Sequence, residues 1–135
     1  MIRVNENSAD IDYDDDLILY KGEPFTGICY EETDDGTLIS ECIYKKGFPH
    51  GITKWWYPSG KPKAILNLHR GLSNGTCQYW HENGQLKEES NAELGVVLSR
   101  KKWDTKGNLI EEFKISEDSN NYKFIERHRE LYGDW

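Results

Sequence analysis

Along residues 17–115, short strand-like stretches mixing aromatic and polar residues are broken at regular intervals by glycine. The clearest unit runs Thr76-Cys77-Gln78-Tyr79-Trp80-His81, then Glu82-Asn83-Gly84, then Gln85-Leu86-Lys87-Glu88-Glu89-Ser90. This predicts a β-hairpin, because Asn-Gly supplies the two positive-φ positions of a type I′ turn. Asp35-Gly36 repeats the signature, Ser59-Gly60 after Pro58 is a weaker form, and Lys106-Gly107 fits a longer loop. The four turn glycines, Gly36, Gly60, Gly84 and Gly107, stand 24, 24 and 23 residues apart. Gly22, Gly47, Gly71 and Gly95 keep step with them, as do Gly27, Gly51 and Gly75, with Ser99 where a fourth would fall. A recurrence of this kind marks an internal repeat.

Strands joined at both ends by short turns make a meander, and stacking is what stabilises hairpins that are marginal alone. The expected fold is all-β: an antiparallel meander of about four stacked hairpins of about 24 residues each. One domain is expected over 1–135, comprising an acidic leader (1–16), the hairpin repeats (17–115) and a C-terminal linker with helix or tail (116–135). The first strand is expected at Leu17–Tyr20. Ser116 to Asn121 reads as linker, and Phe124, Ile125, His128 and Leu131 fall near one face of a short helix over Tyr122–Leu131. Either that helix caps the open edge of the last hairpin, or the segment is a frayed tail or a partner-binding segment. The terminal Trp135 is either tucked back or offered to a partner.

Two-residue loops would also fix the register. Opposed residues sum to 71 around Asp35-Gly36 and to 167 around Asn83-Gly84, so Trp56 would face Lys63, Trp80 would face Lys87 and Trp103 would face Ile110. Four positions before each turn glycine stand Glu32, Trp56, Trp80 and Trp103. The three tryptophans are expected to form a packed structural stripe. Trp55, Tyr57 and Tyr79 fall on the opposite face, where contact surface and satellite packing both remain open. The same register places Cys29 opposite Cys42 in a non-hydrogen-bonded pair. A disulfide is conceivable there, while a reducing compartment would keep two thiols.

Charge changes the picture by segment. The chain carries a net −7 over 135 residues, with a mean hydropathy of −0.83. Residues 1–36 hold 11 acids against 2 bases, a net −9, whereas residues 45–106 hold 11 bases against 5 acids, a net +6. Asp12, Asp14, Asp15 and Asp16, with Asp34 and Asp35, either solvate a leader or steer a basic partner. Overall acidity argues against direct nucleic-acid binding. No apolar run approaches the ~18 residues of a membrane span, and the N-terminus lacks a secretory signal pattern, so the cytoplasm is expected. The histidines do not cluster, and no metal-ligand spacing or phosphate-binding loop is found. No catalytic residue, cofactor or metal is therefore assigned.

The recurring string of Gly-x-x-x-Gly, a short aromatic strand, x-x-Gly-x-Leu and a second strand resembles the variant MORN repeat. Its clearest pieces are Tyr20 to Gly27, Gly47-Phe48-Pro49-His50-Gly51 and Gly75 to Leu86. The fourth unit departs from the pattern at Ser99. Bacterial proteins of this kind are often antitoxins or immunity proteins, and the resemblance implies an elongated meander that binds another protein. The expected partner is a toxin or toxin domain, with a basic nuclease suited to the acidic end. Trp55, Tyr57 and Tyr79 would anchor it. The other reading is a scaffold or membrane-peripheral module whose basic middle touches anionic lipid.

Overall fold

A computed structural model describes residues 1–133; Trp135 lies outside them. The strands are β1 (Arg3–Asn5), β2 (Ile11–Asp14), β3 (Leu17–Tyr20), β4 (Glu23–Pro24), β5 (Gly27–Glu32), β6 (Leu38–Lys45) and β7 (Phe48–Trp56). They continue as β8 (Pro62–His69), β9 (Leu72–Ser73), β10 (Gly75–Trp80), β11 (Leu86–Glu93), β12 (Val96–Trp103) and β13 (Leu109–Lys114). One helix, α1 (Asn120–Tyr132), follows. From β5 to β13 successive long strands pair antiparallel in one large sheet, the meander that the glycine spacing predicts. β1 adds to its edge in parallel with β5, and β2, β3 and β4 form a separate three-stranded sheet.

The two ends of the stack use different turns, and their order reverses the expectation. At the Gly36 end, the N–H of Thr33, Tyr57, His81 and Asp104 donates to the carbonyl four residues on, at 2.8 to 2.9 Å. Each turn glycine returns its N–H to the same four residues. Only the glycine has positive φ, so these are three-residue loops: a type I turn followed by a left-handed glycine. The two-residue loops with both residues at positive φ lie at the other end: Lys21-Gly22, Lys46-Gly47, Arg70-Gly71 and Leu94-Gly95.

The three-residue loops bring a β-bulge that corrects the register. Pairing sums hold at 71 as far as Glu31–Ser40 and at 167 as far as Tyr79–Glu88, then shift by one. Trp56 faces Pro62, Trp80 faces Leu86 and Trp103 faces Leu109. Lys63, Lys87 and Ile110 are the extra residues of the bulge rather than the partners. Cys29 does face Cys42. However, the Ile28 N–H donates to Ile2 and Tyr30 accepts from Glu6, so these two turn their backbone groups toward β1. Cys29–Cys42 is therefore the hydrogen-bonded, wider kind of pair, and the cysteines are free.

Residues 1–16 are not a bare leader, because β1 and β2 lie within them. The β2–β3–β4 sheet forms a second layer. Ile18 and Phe25 pack with Val4 and Cys29 in the main core cluster, joined by Ile11, Tyr20 and Tyr44. Gly47 allows this approach. Its N–H donates to Phe25 and its carbonyl accepts from Ile18, and a Cβ there would meet Leu17 Cδ2 at 2.7 Å. Later turns repeat the rung without the second layer, as Gly71 donates to Pro49 and Gly95 to Ser73. At the far end α1 is capped by Ser119, whose Oγ accepts the Tyr122 N–H. It buries Ile125 completely, and Arg129 grips Glu93 of β11 with two hydrogen bonds of 2.8 Å.

Candidate functional site

Opposed residues of a sheet share a face, so the pairing defines two faces. One carries the row Glu31, Ser40, Trp55, Ala64, Tyr79, Glu88, Lys102 and Glu111. Beside it on that face lie Cys29, Cys42, Thr53 and Leu66, then Cys77, Ser90, Arg100 and Phe113. The other face mixes isoleucines (Ile28, Ile43, Ile52 and Ile65) with a lattice of polar side chains. Thr76 Oγ1 donates to Asn91 at 2.9 Å, Gln78 donates to Glu89 at 2.8 Å, and Arg3 pairs with Glu41.

Both additional layers sit on the first face. The N-terminal sheet reaches Cys29 there, and α1 shares one cavity with Gly75 and Ala92 and another with Phe113. Between these covers runs an open stretch. Its floor is small and buried: Thr53, Ala64, Cys77 and Ser90 sink between larger neighbours. Trp55 and Tyr79 stand half-buried on either side of Ala64, direct neighbours in one row.

Where the N-terminal sheet meets this stretch there is a cleft of about 230 Å³. Tyr13, Trp55, Tyr44 and Thr53 line it together with Glu6 and Glu31, and no lysine, arginine or histidine does. Burial, then the Glu31 charge and a shared hydrogen bond, push the Glu6 carboxyl upward. Burial, followed by Glu6, raises the Cys29 thiol to about 11, and burial raises Cys42. Both thiols stay protonated at neutral pH and are poor nucleophiles. Burial also raises the phenol of Tyr79.

The other residues singled out from the sequence lie apart from this row. Tyr57 follows the end of β7, where its hydroxyl donates to the Trp80 carbonyl at 2.7 Å. One unit later His81 Nε2 lies 2.9 Å from the Trp103 carbonyl. These links tie each unit to the next, a role the sequence reading missed, although its signal is the shared place of Tyr57 and His81 three residues before a turn glycine. Trp56, Trp80 and Trp103 each end a strand and are half-buried, while the main core cluster is centred on Phe25 and Ile18. Asp12 and Asp14 lie on β2, flanking Tyr13 of the cleft, and Asp15 and Asp16 form its turn; all four are exposed. Asp34 and Asp35 are exposed in the first three-residue loop. Asp35 holds that loop, accepting from the Thr33 hydroxyl and from the Thr37 hydroxyl and N–H, which lowers its carboxyl.

A second cavity, of about 360 Å³, has the opposite character. Lys45, Lys46, His50, His69 and Arg70 line it with Phe48. The His50 and His69 rings lie 4.4 Å apart, and burial, then His50, Arg70 and Lys45, lower the affinity of His69 for a proton.

A family model described as a MORN repeat variant matches residues 49–69 and 73–93, the two central hairpins. A protein of Bacillus subtilis (strain 168) named "Immunity protein YwqK" is 36% identical over 111 residues, spanning 82% of this chain and 72% of that protein. No solved structure matches the chain.

Proposed function

The chain belongs to the MORN-repeat-variant family of immunity-type proteins, and from that premise we propose that it neutralises a cognate toxin domain by direct protein contact. The observation that carries this reading is the Trp55–Ala64–Tyr79 row in the uncovered stretch of the sheet, beside a cleft that holds carboxylates and no base. Half-buried tryptophan and tyrosine over a small-residue floor can anchor a partner at little entropic cost. Inhibition then needs only occlusion of the toxin's working surface by a preformed sheet, so no residue of this chain carries chemistry. The exposed Asp12, Asp14, Asp15 and Asp16 border the same cleft through Tyr13 and would steer a basic partner, such as a nuclease, toward the row. Neutralisation of this kind would take place in the cytoplasm.

The test is co-expression with the toxin-like product of a neighbouring gene, scored by rescue of growth and by co-purification. Trp55→Ala and Tyr79→Ala should each weaken the complex by about tenfold or more while leaving the fold intact. Joint replacement of the four aspartates by asparagine should slow association at low salt and change little at high salt. A toxin held equally well by folded Trp55→Ala and Tyr79→Ala proteins would remove the row from the interface. Salt-sensitive co-sedimentation with anionic vesicles in place of toxin capture would favour the lipid-surface reading, to which the Lys45, Lys46 and Arg70 cavity is the better match.

A further inference from the structure

The large sheet ends on one side at β1, three residues long, and on the other at β13, six residues long. Among the described residues β13 pairs only with β12, and all six of its residues are exposed. Ile110 is 65% and Phe113 40% exposed. A long open edge with apolar side chains is a template for another strand.

The direction of its backbone groups can be read from its neighbour. The Ile115 N–H donates to the Leu98 carbonyl at 2.9 Å, so Ile115 faces β12. Pairing is unbroken from Ser99–Lys114 through Arg100–Phe113 to Lys101–Glu112. Because backbone groups alternate along an antiparallel strand, Phe113 also faces β12, while Lys114 and Glu112 turn their N–H and C=O outward. The side chains of Glu112 and Lys114 share one face of the sheet, and Phe113 lies on the other with the Trp55 row.

We propose that β13 pairs antiparallel with β13 of a second copy of this chain, about a two-fold axis passing through Phe113. Outward-turned residues must oppose one another across such a junction, and charge selects among the registers that allow it. Glu112 opposite Glu112, or Lys114 opposite Lys114, sets like charges together, and a shift the other way sets Glu111 against Glu111. The remaining register puts Glu112 opposite Lys114 on both sides of the axis and Phe113 against Phe113. It forms four backbone hydrogen bonds and two opposite-charge cross-strand pairs, the kind of pair that stabilises a sheet. The interface is isologous, as two-fold assembly requires. It makes one sheet continuous through both copies and leaves the face with Trp55 and Tyr79 uncovered in each.

Sedimentation equilibrium of the full chain, from about 1 μM to about 1 mM, tests this. The expected result is a reversible monomer–dimer equilibrium. Glu112→Pro deletes an outward N–H that β12 does not use, in an edge position where proline is tolerated, and should abolish the dimer with the circular dichroism unchanged. Lys114→Glu should weaken dimerisation by about tenfold or more, and Glu112→Lys combined with Lys114→Glu should restore it to within about threefold. A chain that stays monomeric throughout, a dimer that persists in folded Glu112→Pro, or a double variant no better than Lys114→Glu overturns the proposal. If Glu112→Pro fails to fold, the charge-exchange pair decides the question alone. A monomer that captures a toxin strand on this edge also overturns it.

Discussion

The N-terminal quarter and the central hairpins are built from the same kind of strand but are held together differently. In the N-terminal region a second sheet closes over the first, and Ile18, Phe25, Val4 and Cys29 form a two-layer core. In the centre the described residues supply no second layer. Thr53, Ala64 and Cys77 are buried there by their own larger neighbours, and the units are joined by repeating backbone rungs and by links such as Tyr57 to Trp80. The repeats thus build a sheet without building their own core. The segments that break the repeat, β1 to β4 at one end and α1 at the other, supply the covers. What they leave uncovered is the stretch carrying Trp55 and Tyr79. The largest fully buried side chains, Phe25, Ile18 and Ile125, lie beneath the end covers, and the proposed contact row lies in the open middle, an arrangement that would let the row change without unfolding the chain.

The largest expected effect tests that division directly. Phe25→Ala removes a fully buried ring from the two-layer core and should cost about 3–5 kcal/mol, a large share of a typical domain's stability. Ile52→Ala, in the central hairpins at a position 42% exposed, should cost under about 1 kcal/mol. Urea unfolding followed by tryptophan fluorescence measures both. Equal losses would mean that the centre contributes its own core and that the contrast is unfounded.

A second, smaller effect separates turns beneath a cover from turns in the open. Gly84 and Gly47 have nearly the same φ, 92° and 88°. A Cβ on Gly84 meets nothing within 4 Å, so Gly84→Ala pays only the left-handed strain, about 1 kcal/mol. On Gly47 the Cβ would press on Leu17 Cδ2 at 2.7 Å and on the Ile18 carbonyl at 3.3 Å. Gly47→Ala should therefore cost about 2–4 kcal/mol, because the N-terminal sheet must lift to admit it. Matching midpoints for the two variants would show that the N-terminal sheet is loosely seated.

The contrast between ends and middle was only half legible in the sequence, for physical reasons. Left-handed turn positions leave a residue mark, and so the glycines revealed the repeat, its length and the Trp55–Tyr79 row. A bulge leaves no such mark. Lys63, Lys87 and Ile110 are ordinary strand residues whose extra position shows only in the pairing, which displaced the expected partners of Trp56, Trp80 and Trp103. Asparagine or aspartate before glycine predicts a two-residue turn. Such turns occur instead where lysine, arginine or leucine takes the left-handed conformation that L-residues rarely adopt. The N-terminal layer was hidden by composition, since Asp12, Asp14, Asp15 and Asp16 read as solvated chain. The alternation that matters there is Ile11 and Tyr13 opposite Tyr20 and Ile18. Parallel pairing of β1 with β5 spans too many residues for any local pattern to announce.

The smallest effect asks whether the C-terminal cover is seated as firmly as the N-terminal one. The Arg129 guanidinium donates to both oxygens of Glu93, and this holds the Glu93 carboxyl below its usual range. A carboxyl lowered in the folded state contributes its full stabilisation above the unfolded value, near 4.5. That stabilisation disappears as pH falls through the lower, folded value. The pair is solvent-facing, so its whole contribution should be under about 1 kcal/mol. Acidification should therefore loosen α1 before it disturbs the Phe25 core. Amide exchange would show this as faster exchange around Ile125 while Ile18 and Phe25 remain protected. Arg129→Gln should give the loosened helix already at neutral pH and remove the acid step. If Ile125 is equally protected in Arg129→Gln at pH 7 and at pH 4, burial of that one side chain seats the helix, and the two covers are held by the same apolar means.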